Sequence, residues 1–573
     1  MILLNPAQRT HAQPDARSAE IMRKTIAFFE AKGKERIKAD DHARVWYQDF
    51  LDFVRDERVF ATLLTPAAYG SDEDARWDTA RLCEFAEILG FYGLPYWYTF
   101  QVTVLGLGPI WMSPNEEAKR RAAAALEDGG IFAFGLSEQH HGADLYSSEM
   151  ELEPQDDGTY LARGAKYYIG NGNKAAMVST FGKRTDTGEW TFFAADSQHE
   201  RYELVKNVVA SQNYVSQYRL DEYPITEADV LSTGDHAWDS ALNTVNIGKY
   251  NLGWASIGIC THALYEAITH ATNRRLYGMS VTDFPHVRRM LTESYARLVA
   301  MKLVALRARD YMRSASAEDR RYLLFNPVVK MKVCTEGERV MHLMWDVIAA
   351  RAFEKDMIFE SAARDISALP RLEGTVHVNI ALIVKFTASY LFDDADLPPI
   401  EPQTAPGNDD FLFDQGAARG LGKIRFPSWE RAFEGAASPN AQLLREQAGV
   451  LREMLSATPP SEEQRKDIDF LMAIGSLFTL IVYGQLVLES AQNEDVSEEV
   501  VDEIFGILVA DFSQAAVDLQ SKPSSSEEQI AHCLRMVRKP AFDAGRYDRL
   551  WEQEIAPLAG AYELSWEGVR AAV

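Results

Sequence analysis

Apolar residues recur at helical spacing through the first part of the chain. Ile21, Thr25, Phe28 and Phe29 share one face, and similar runs continue to residues 122–126, so the pattern predicts helices over about 18–128. The period then changes. Between Phe132 and Asp196, β-rich runs at 160–169 and 190–195 are punctuated by the turn dipeptides Asp157-Gly158 and Thr187-Gly188. This predicts a small β domain reaching about His236. Helical periodicity returns from Ala241 to about Leu391, broken near Gly278, Pro285 and Pro370. A segment rich in proline and glycine follows (Pro398-Pro399, Pro402, Pro406-Gly407) and predicts a linker or a long ordered connection. Beyond it Leu444, Ala448, Leu451 and Leu455 form one stripe, and Ile504, Leu508, Phe512 and Ala515 another, with an uncharged run at 470–488 between them. That end predicts a helical bundle. The expected organisation is a helical domain at 1–132, a β domain at 133–240, a helical domain at 241–393, a linker at 394–439 and a bundle at 440–573.

The length of 573 residues suits three or four compact units, and 47% hydrophobic with 25% charged residues is ordinary globular composition. A net charge of −25 repels phosphate backbones and argues against nucleic acid as a partner. Cys83, Cys260, Cys334 and Cys533 lie far apart with no metal-ligand spacing, so they read as reduced core thiols of a cytoplasmic protein. The opening Met1-Ile2-Leu3-Leu4 is too short for the core of an export signal. The run at 470–488 approaches bilayer-spanning length, but Gly475, Ser476, Thr479, Gly484 and Gln485 interrupt it. A buried bundle helix is favoured, with membrane association the alternative.

Single motifs are weak. Ala417-Ala418-Arg419-Gly420-Leu421-Gly422-Lys423 lacks the first glycine of a phosphate loop, and Ile424 stands where Ser or Thr is needed. Arg419, Lys423 and Arg425 read as a loop balancing nearby acids, with a phosphate contact as the alternative. His140-His141 with Glu138 and Asp144 invites a metal, but adjacent histidines diverge and no second pair supplies ligands, so no metal is expected.

Three segments are informative together. Phe132-Ala133-Phe134-Gly135-Leu136-Ser137-Glu138 opens the β domain, and Gly164-Ala165-Lys166-Tyr167-Tyr168-Ile169-Gly170 lies within it. Arg364-Asp365 is followed after seven residues by Glu373-Gly374-Thr375. Asn273-Arg274-Arg275-Leu276-Tyr277-Gly278 falls between, and the turn Thr65-Pro66-Ala67-Ala68-Tyr69-Gly70 precedes them all. In this order the motifs make the chain resemble the acyl-CoA dehydrogenase flavoproteins over about residues 18–390. The resemblance is to the larger type with a C-terminal helical extension. It implies a mostly α fold with a central β-barrel domain, a four-helix-bundle domain and an added C-terminal bundle.

It also implies a chemistry: a carboxylate takes the α-proton of an acyl thioester while the β-hydrogen leaves as hydride to FAD. Glu373 stands at the position of the base, with Gly374 beside the thioester. The apolar Leu372 and the run at 376–382 suggest a buried setting, and a helix-capping acid or a surface carboxylate is the plain alternative for Glu373. Phe134, Leu136, Ser137, Tyr168, Gly170, Arg274, Tyr277 and Thr375 match positions that hold FAD. Lys249 and Ala143 match positions facing substrate. The implied partners are an acyl-CoA or acyl-carrier thioester, an electron-transfer flavoprotein or similar acceptor, and a second copy in a homodimer.

The departures are equally specific. Gly170 replaces a threonine, so a side-chain hydrogen bond to the flavin is lost or supplied otherwise. Asp346-Val347-Ile348-Ala349-Ala350-Arg351 replaces a glutamine and a glycine-rich loop at the adenine half of FAD. Pro285 stands for a glutamine, and Lys249 for an arginine. An acyl-CoA oxidase that passes electrons to oxygen stays open as an alternative. So does a non-enzymatic acyl-thioester-binding subunit that has lost FAD.

Overall fold

Helices form where the apolar periodicity runs, and the strands fall between the turn dipeptides. The computed structural model describes residues 2–8, 15–417 and 420–568. Chain contacts divide it into two units, one made of residues 10–251, 404–419 and 564–573, the other of residues 1–9, 252–403 and 420–563.

In the first unit, α1 (Ala16–Ala43) starts at Asp15, whose carboxylate accepts the Ser18 N–H at 2.7 Å. It kinks at Gly33 (φ +71°), and there Lys34 and Glu35 donate to the carbonyls of Ser565 and Trp566 at 2.9 and 3.0 Å. α2 (Thr79–Tyr92) precedes α3 (Leu94–Trp111), which is buried at every residue, as its lack of a polar face requires. The strands are β1 (Ile131–Gly135), β2 (Glu151–Pro154), β3 (Tyr160–Gly170), β4 (Ala175–Arg184), β5 (Trp190–Ala195), β6 (Tyr202–Asn207), β7 (Val215–Ile225) and β8 (Val230–Thr233). They form one sheet in the order β6-β7-β3-β2-β4-β5-β8, with β1 pairing parallel to β4. Its core gathers Ala133, Met150, Val178, Phe193, Tyr218 and Ile225. α4 (Gly234–Gly248) follows directly.

The proline-rich connection is ordered where it belongs to this unit. Asp409 accepts the Thr79 N–H at 2.7 Å and donates its own N–H to Trp77 at 2.6 Å, while the Phe413 ring packs on Trp77. The basic loop beyond it belongs to the second unit from Gly420 on. There Arg425 pairs with Asp393 at 2.8 Å, which is the charge-balancing role; Arg419 lies outside the described residues.

The second unit holds α5 (Asn251–Asn273) from Leu252 on, then α6 (Pro285–Arg313), α7 (Cys334–Ile348), α8 (Ile358–Ile366) and α9 (Val376–Ile383). It continues with α10 (Pro439–Ala457), α11 (Ile468–Ala491) and α12 (Glu498–Gln520). Pro285 sits in the first turn of α6, where its missing N–H is harmless. α11 is long and apolar enough to cross a membrane, yet 83% of its most apolar stretch is buried within the protein. Its buried Gln485 and its Glu489 are satisfied internally: Arg307 and Tyr311 donate to Glu489 at 2.7 and 2.9 Å, and Gln485 donates to Glu489 at 2.6 Å. Arg297 of α6 ties Glu336 of α7 and Asp511 of α12 at 2.7 and 2.8 Å, so the C-terminal helices share a polar core with the helices before them. All four cysteines are buried and unbridged.

Candidate functional site

The Glu373 loop joins α8 to α9 and bends through two consecutive left-handed residues, Glu373 (φ +50°) and Gly374 (φ +92°). Such a φ at a non-glycine residue costs about 1–3 kcal/mol and persists only where neighbours hold it. The neighbours here are polar. Lys330 donates from its ammonium to the carbonyl of Pro370 at 2.8 Å and to the carbonyl of Gly374. Asn379 donates to the same Gly374 carbonyl at 3.1 Å and to that of Thr375 at 2.9 Å.

Thr375 is the cap of α9, its hydroxyl accepting the Val378 N–H at 3.4 Å. Glu373 is therefore not the capping acid, although it stands one turn ahead of a helix N-terminus, where negative charge is favoured. The expected buried setting needs correction. Glu373 and Gly374 are half-buried, while Thr375, His377 and Val378 are exposed. α9 turns only Asn379, Ile380 and Ile383 fully inward, because an apolar run on a helix still wraps around its axis. Burial pushes the Lys330 ammonium below the usual lysine range, and the charges of Cys334 and Glu373 oppose that shift.

Arg274 and Tyr277 sit just after α5 on a two-stranded hairpin, Arg275–Leu276 against Met279–Ser280. Its two-residue loop puts both Tyr277 (φ +53°) and Gly278 (φ +83°) in the left-handed region, the geometry of a type I′ turn. Arg274 is exposed, and Tyr277 projects with 94% of its surface accessible. Nearby, Arg351 approaches His270 Nδ1 at 3.4 Å, and burial together with the charges of Arg351 and Arg274 lowers the His270 pKa. The segment that lacks the glycine-rich sequence keeps a glycine-like backbone, since Ala349 has φ +59° and ψ −141°. Asp346 beside it is exposed.

In the other unit, Phe134, Leu136, Ser137 and Tyr168 come together at one end of β1 and β3. Ser137 accepts the Tyr167 N–H at 2.9 Å and donates its hydroxyl to the Tyr167 carbonyl at 2.8 Å. Phe134 stacks on Phe192 with ring centroids 6.0 Å apart. The β3–β7 pairing breaks between Lys166 and Ile169, and the bulge turns Tyr168 (φ +65°) outward with 60% of its surface exposed. A flat aromatic face beside main-chain polar groups suits a planar heteroaromatic ring.

Gly170 is buried, and a Cβ built there would lie 2.6 Å from Tyr98 Cε1, 2.7 Å from Val102 Cγ1 and 3.0 Å from the Tyr98 hydroxyl. The missing side chain is thus explained by an aromatic residue of α3 that fills its place. Lys249 is buried at the end of α4. Ala143 is exposed on the loop between β1 and β2.

Two lysines escaped the sequence reading. Lys166 is buried and paired with Glu138 at 2.7 Å, while Glu138 also accepts from Ser148 Oγ, Glu149 N and Met150 N. That carboxylate staples the loop carrying Ala143. It belongs to a Glu138–His141–Glu149 cluster of metal-ligand type, but its oxygens are already engaged by these donors. Lys330 is the other. The signal for both was a lysine inside a run of buried side chains, which periodicity alone reads as a solvated position.

Comparison with known proteins adds a family. Residues 235–387 match the family described as acyl-CoA dehydrogenase, C-terminal domain. The short-chain-specific acyl-CoA dehydrogenase of Megasphaera elsdenii is 21% identical over 364 residues, which span 62% of this chain and 93% of that protein. The CarC subunit of the caffeyl-CoA reductase–Etf complex of Acetobacterium woodii is 23% identical over 348 residues, 59% of this chain and 88% of its own. A solved acyl-CoA dehydrogenase from Bacillus anthracis, complexed with FAD, aligns at TM-score 0.72 with 14% identity and covers 97% of each chain. At that identity the likeness is one of fold, and it extends through the C-terminal helices.

Proposed function

We propose that this chain, whose residues 235–387 match the acyl-CoA dehydrogenase C-terminal domain family, dehydrogenates an acyl thioester between its α and β carbons, with FAD as cofactor and Glu373 as base. The observation that carries this reading is the Glu373 loop. A carboxylate is held on a left-handed backbone pinned from both sides, one turn before a helix N-terminus. A strained, over-determined carboxylate is what a base needs when it must meet a weakly acidic C–H at fixed geometry.

The residues fit the cofactor in part. The exposed Tyr168 ring and the polar main chain of Ser137 suit the flat ring system, and Arg274 offers a cation for a pyrophosphate. FAD, when bound, supplies the acceptor for the β-hydrogen as hydride. Glu373 takes the α-proton on its carboxylate, and its own N–H, with Gly374 beside it, is the group that would polarise the thioester oxygen. Lys249 lies buried as a cation for the anionic substrate. The product is a trans-2-enoyl thioester. The electron acceptor in this reading is an electron-transfer flavoprotein or a similar protein, a partner supported by the relative from an Etf complex. The exposed Tyr277 hairpin supports a homodimer in which that aromatic is covered, and the buried thiols are compatible with the cytoplasm.

The test is the visible spectrum of the purified, FAD-reconstituted protein under anaerobic titration with a panel of straight-chain acyl-CoAs. Bleaching of the flavin band by at least one chain length is the expected result. A protein that binds flavin but is bleached by none, or one that cannot be reconstituted, contradicts the proposal.

A further inference from the structure

Lys330 occupies an unusual position. Residues Val329–Val333 form a single π-helical turn between the helix Tyr322–Val328 and α7. Such a turn inserts an extra residue and rotates the side chains that follow, and it is often retained where function needs it. The buried run that starts at Arg321 and takes in the whole helix Tyr322–Val328 continues through Val329, Lys330 and Met331, so this turn lies in the interior. Its Lys330 has no accessible surface. Its ammonium reaches the carbonyls of Pro370 and Gly374, one on each side of Glu373.

Burying an ammonium is unfavourable unless it is bonded and balanced. A methionine of similar size would fill the same space without that penalty, so packing alone does not account for a lysine. The two carbonyls account for two of its three hydrogens. Glu373, whose charge acts on Lys330 directly, accounts for part of its balance. We propose that Lys330 is the positioning residue for the base: it clamps both sides of the left-handed Glu373 loop and, by its charge, keeps that carboxylate ionised and ready to accept a proton. The proposal rests on the reading of Glu373 as the base.

The titratable groups around the pair are few. Cys334 lies against Lys330, with its thiol pushed up to about 12 by burial, and Glu338, paired to Arg371 at 2.5 Å, acts on Cys334 from α7. The acid limb of activity is therefore compared between variants that differ only at Lys330.

The experiment compares FAD-loaded wild type with Lys330→Met, Lys330→Gln and Lys330→Arg. Anaerobic reduction by an acyl-CoA is followed from pH 5 to 9, and hydrogen exchange is measured over residues 370–376. Methionine removes both charge and clamp; glutamine keeps a donor but not the charge; arginine keeps the charge. The expected result for Lys330→Met is a rate constant about 10–100-fold lower, the loss typical of a misplaced catalytic group. Its substrate affinity stays within a few fold. Its acid limb moves up by about one pH unit, because removal of a cation disfavours the carboxylate, and exchange at 370–376 becomes faster. Lys330→Gln shares the shifted limb, so the result stands even if Lys330→Met is not recovered folded. Lys330→Arg returns the limb to its wild-type position. Wild-type rate, limb and exchange in Lys330→Gln would overturn the proposal. Glu373→Gln separates the two ideas: if it is inactive while the Lys330 variants behave as wild type, the positioning role falls and the base stands. If Glu373→Gln turns over normally, the base reading falls with it.

Discussion

Replacing Gly170 with threonine, the residue that the family resemblance would place there, should damage this protein. The structure gives the reason and the scale. A Cβ at 170 would stand 2.6 Å from Tyr98 Cε1 and 2.7 Å from Val102 Cγ1, whereas comfortable carbon contacts are about 3.5–4.0 Å. Each contact is therefore short by roughly 1 Å, in a buried strand end packed against a helix with no exposed residue. Overpacking of this kind costs about 1–3 kcal/mol. Removing a strand glycine returns about 0.5–1 kcal/mol, so the net loss is about 1–2 kcal/mol. Thermal unfolding at a fixed scan rate should show the Gly170→Thr protein melting a few degrees below wild type, on the scale of about 2–4 °C per kcal/mol for a unit of this size. The reasoning also predicts coupling. In a Tyr98→Ala background the ring is gone and only the Val102 contact remains, so the same threonine should cost less and the two substitutions should be non-additive by about 1 kcal/mol. A Gly170→Thr protein as stable as wild type, or strict additivity with Tyr98→Ala, would show that Tyr98 does not fill that space.

Two other perturbations follow from the backbone and the buried charges. Ala349 holds a conformation suited to glycine, so Ala349→Gly should raise stability by about 1 kcal/mol in the same thermal assay as strain is released. Glu336 is held at about 2, because Lys332 and Arg297 outweigh the upward push of burial. A depressed carboxylate contributes stability above its unfolded pKa and loses it as pH falls through the folded one, so this contribution is complete above about pH 4.5 and fades toward pH 2. Glu336→Gln should then destabilise by about 3–5 kcal/mol at pH 7, leaving a buried arginine short of its partner. Denaturant unfolding should find the gap from wild type closing below pH 4.5, and a gap independent of pH would refute the assignment.

Much of the fold was legible because its signals are local. The β3 and β5 strands lie within a residue of the runs read from alternation, and Gly158 and Gly188 take the positive φ that their turn dipeptides imply. Pro285 marks a helix start for the same local reason. The Tyr277 hairpin was missed since a two-residue turn directly after a long helix leaves no alternation to read. The course of the proline-rich connection depends on Asp409 meeting Trp77 and Thr79, partners more than 300 residues away that no local pattern encodes. At the candidate site, the motif singled out Glu373 but not its half-buried setting, because an apolar run does not say which turn of α9 faces inward. Lys330 was illegible for a deeper reason: it lies in a segment buried on every side from Arg321 to Met331, and no local pattern announces that a lysine there meets the carbonyls of Pro370 and Gly374 some forty residues on.

The claim on which the rest depends is that the Glu373 carboxylate removes the α-proton. Anaerobic rapid mixing of FAD-loaded Glu373→Gln with an acyl-CoA that bleaches the wild type tests it directly. The account predicts that the variant keeps its flavin and binds the thioester, yet reduces at least about 10²–10⁴-fold more slowly, the share of catalysis usually supplied by a general base. Bleaching within tenfold of the wild-type rate would contradict it.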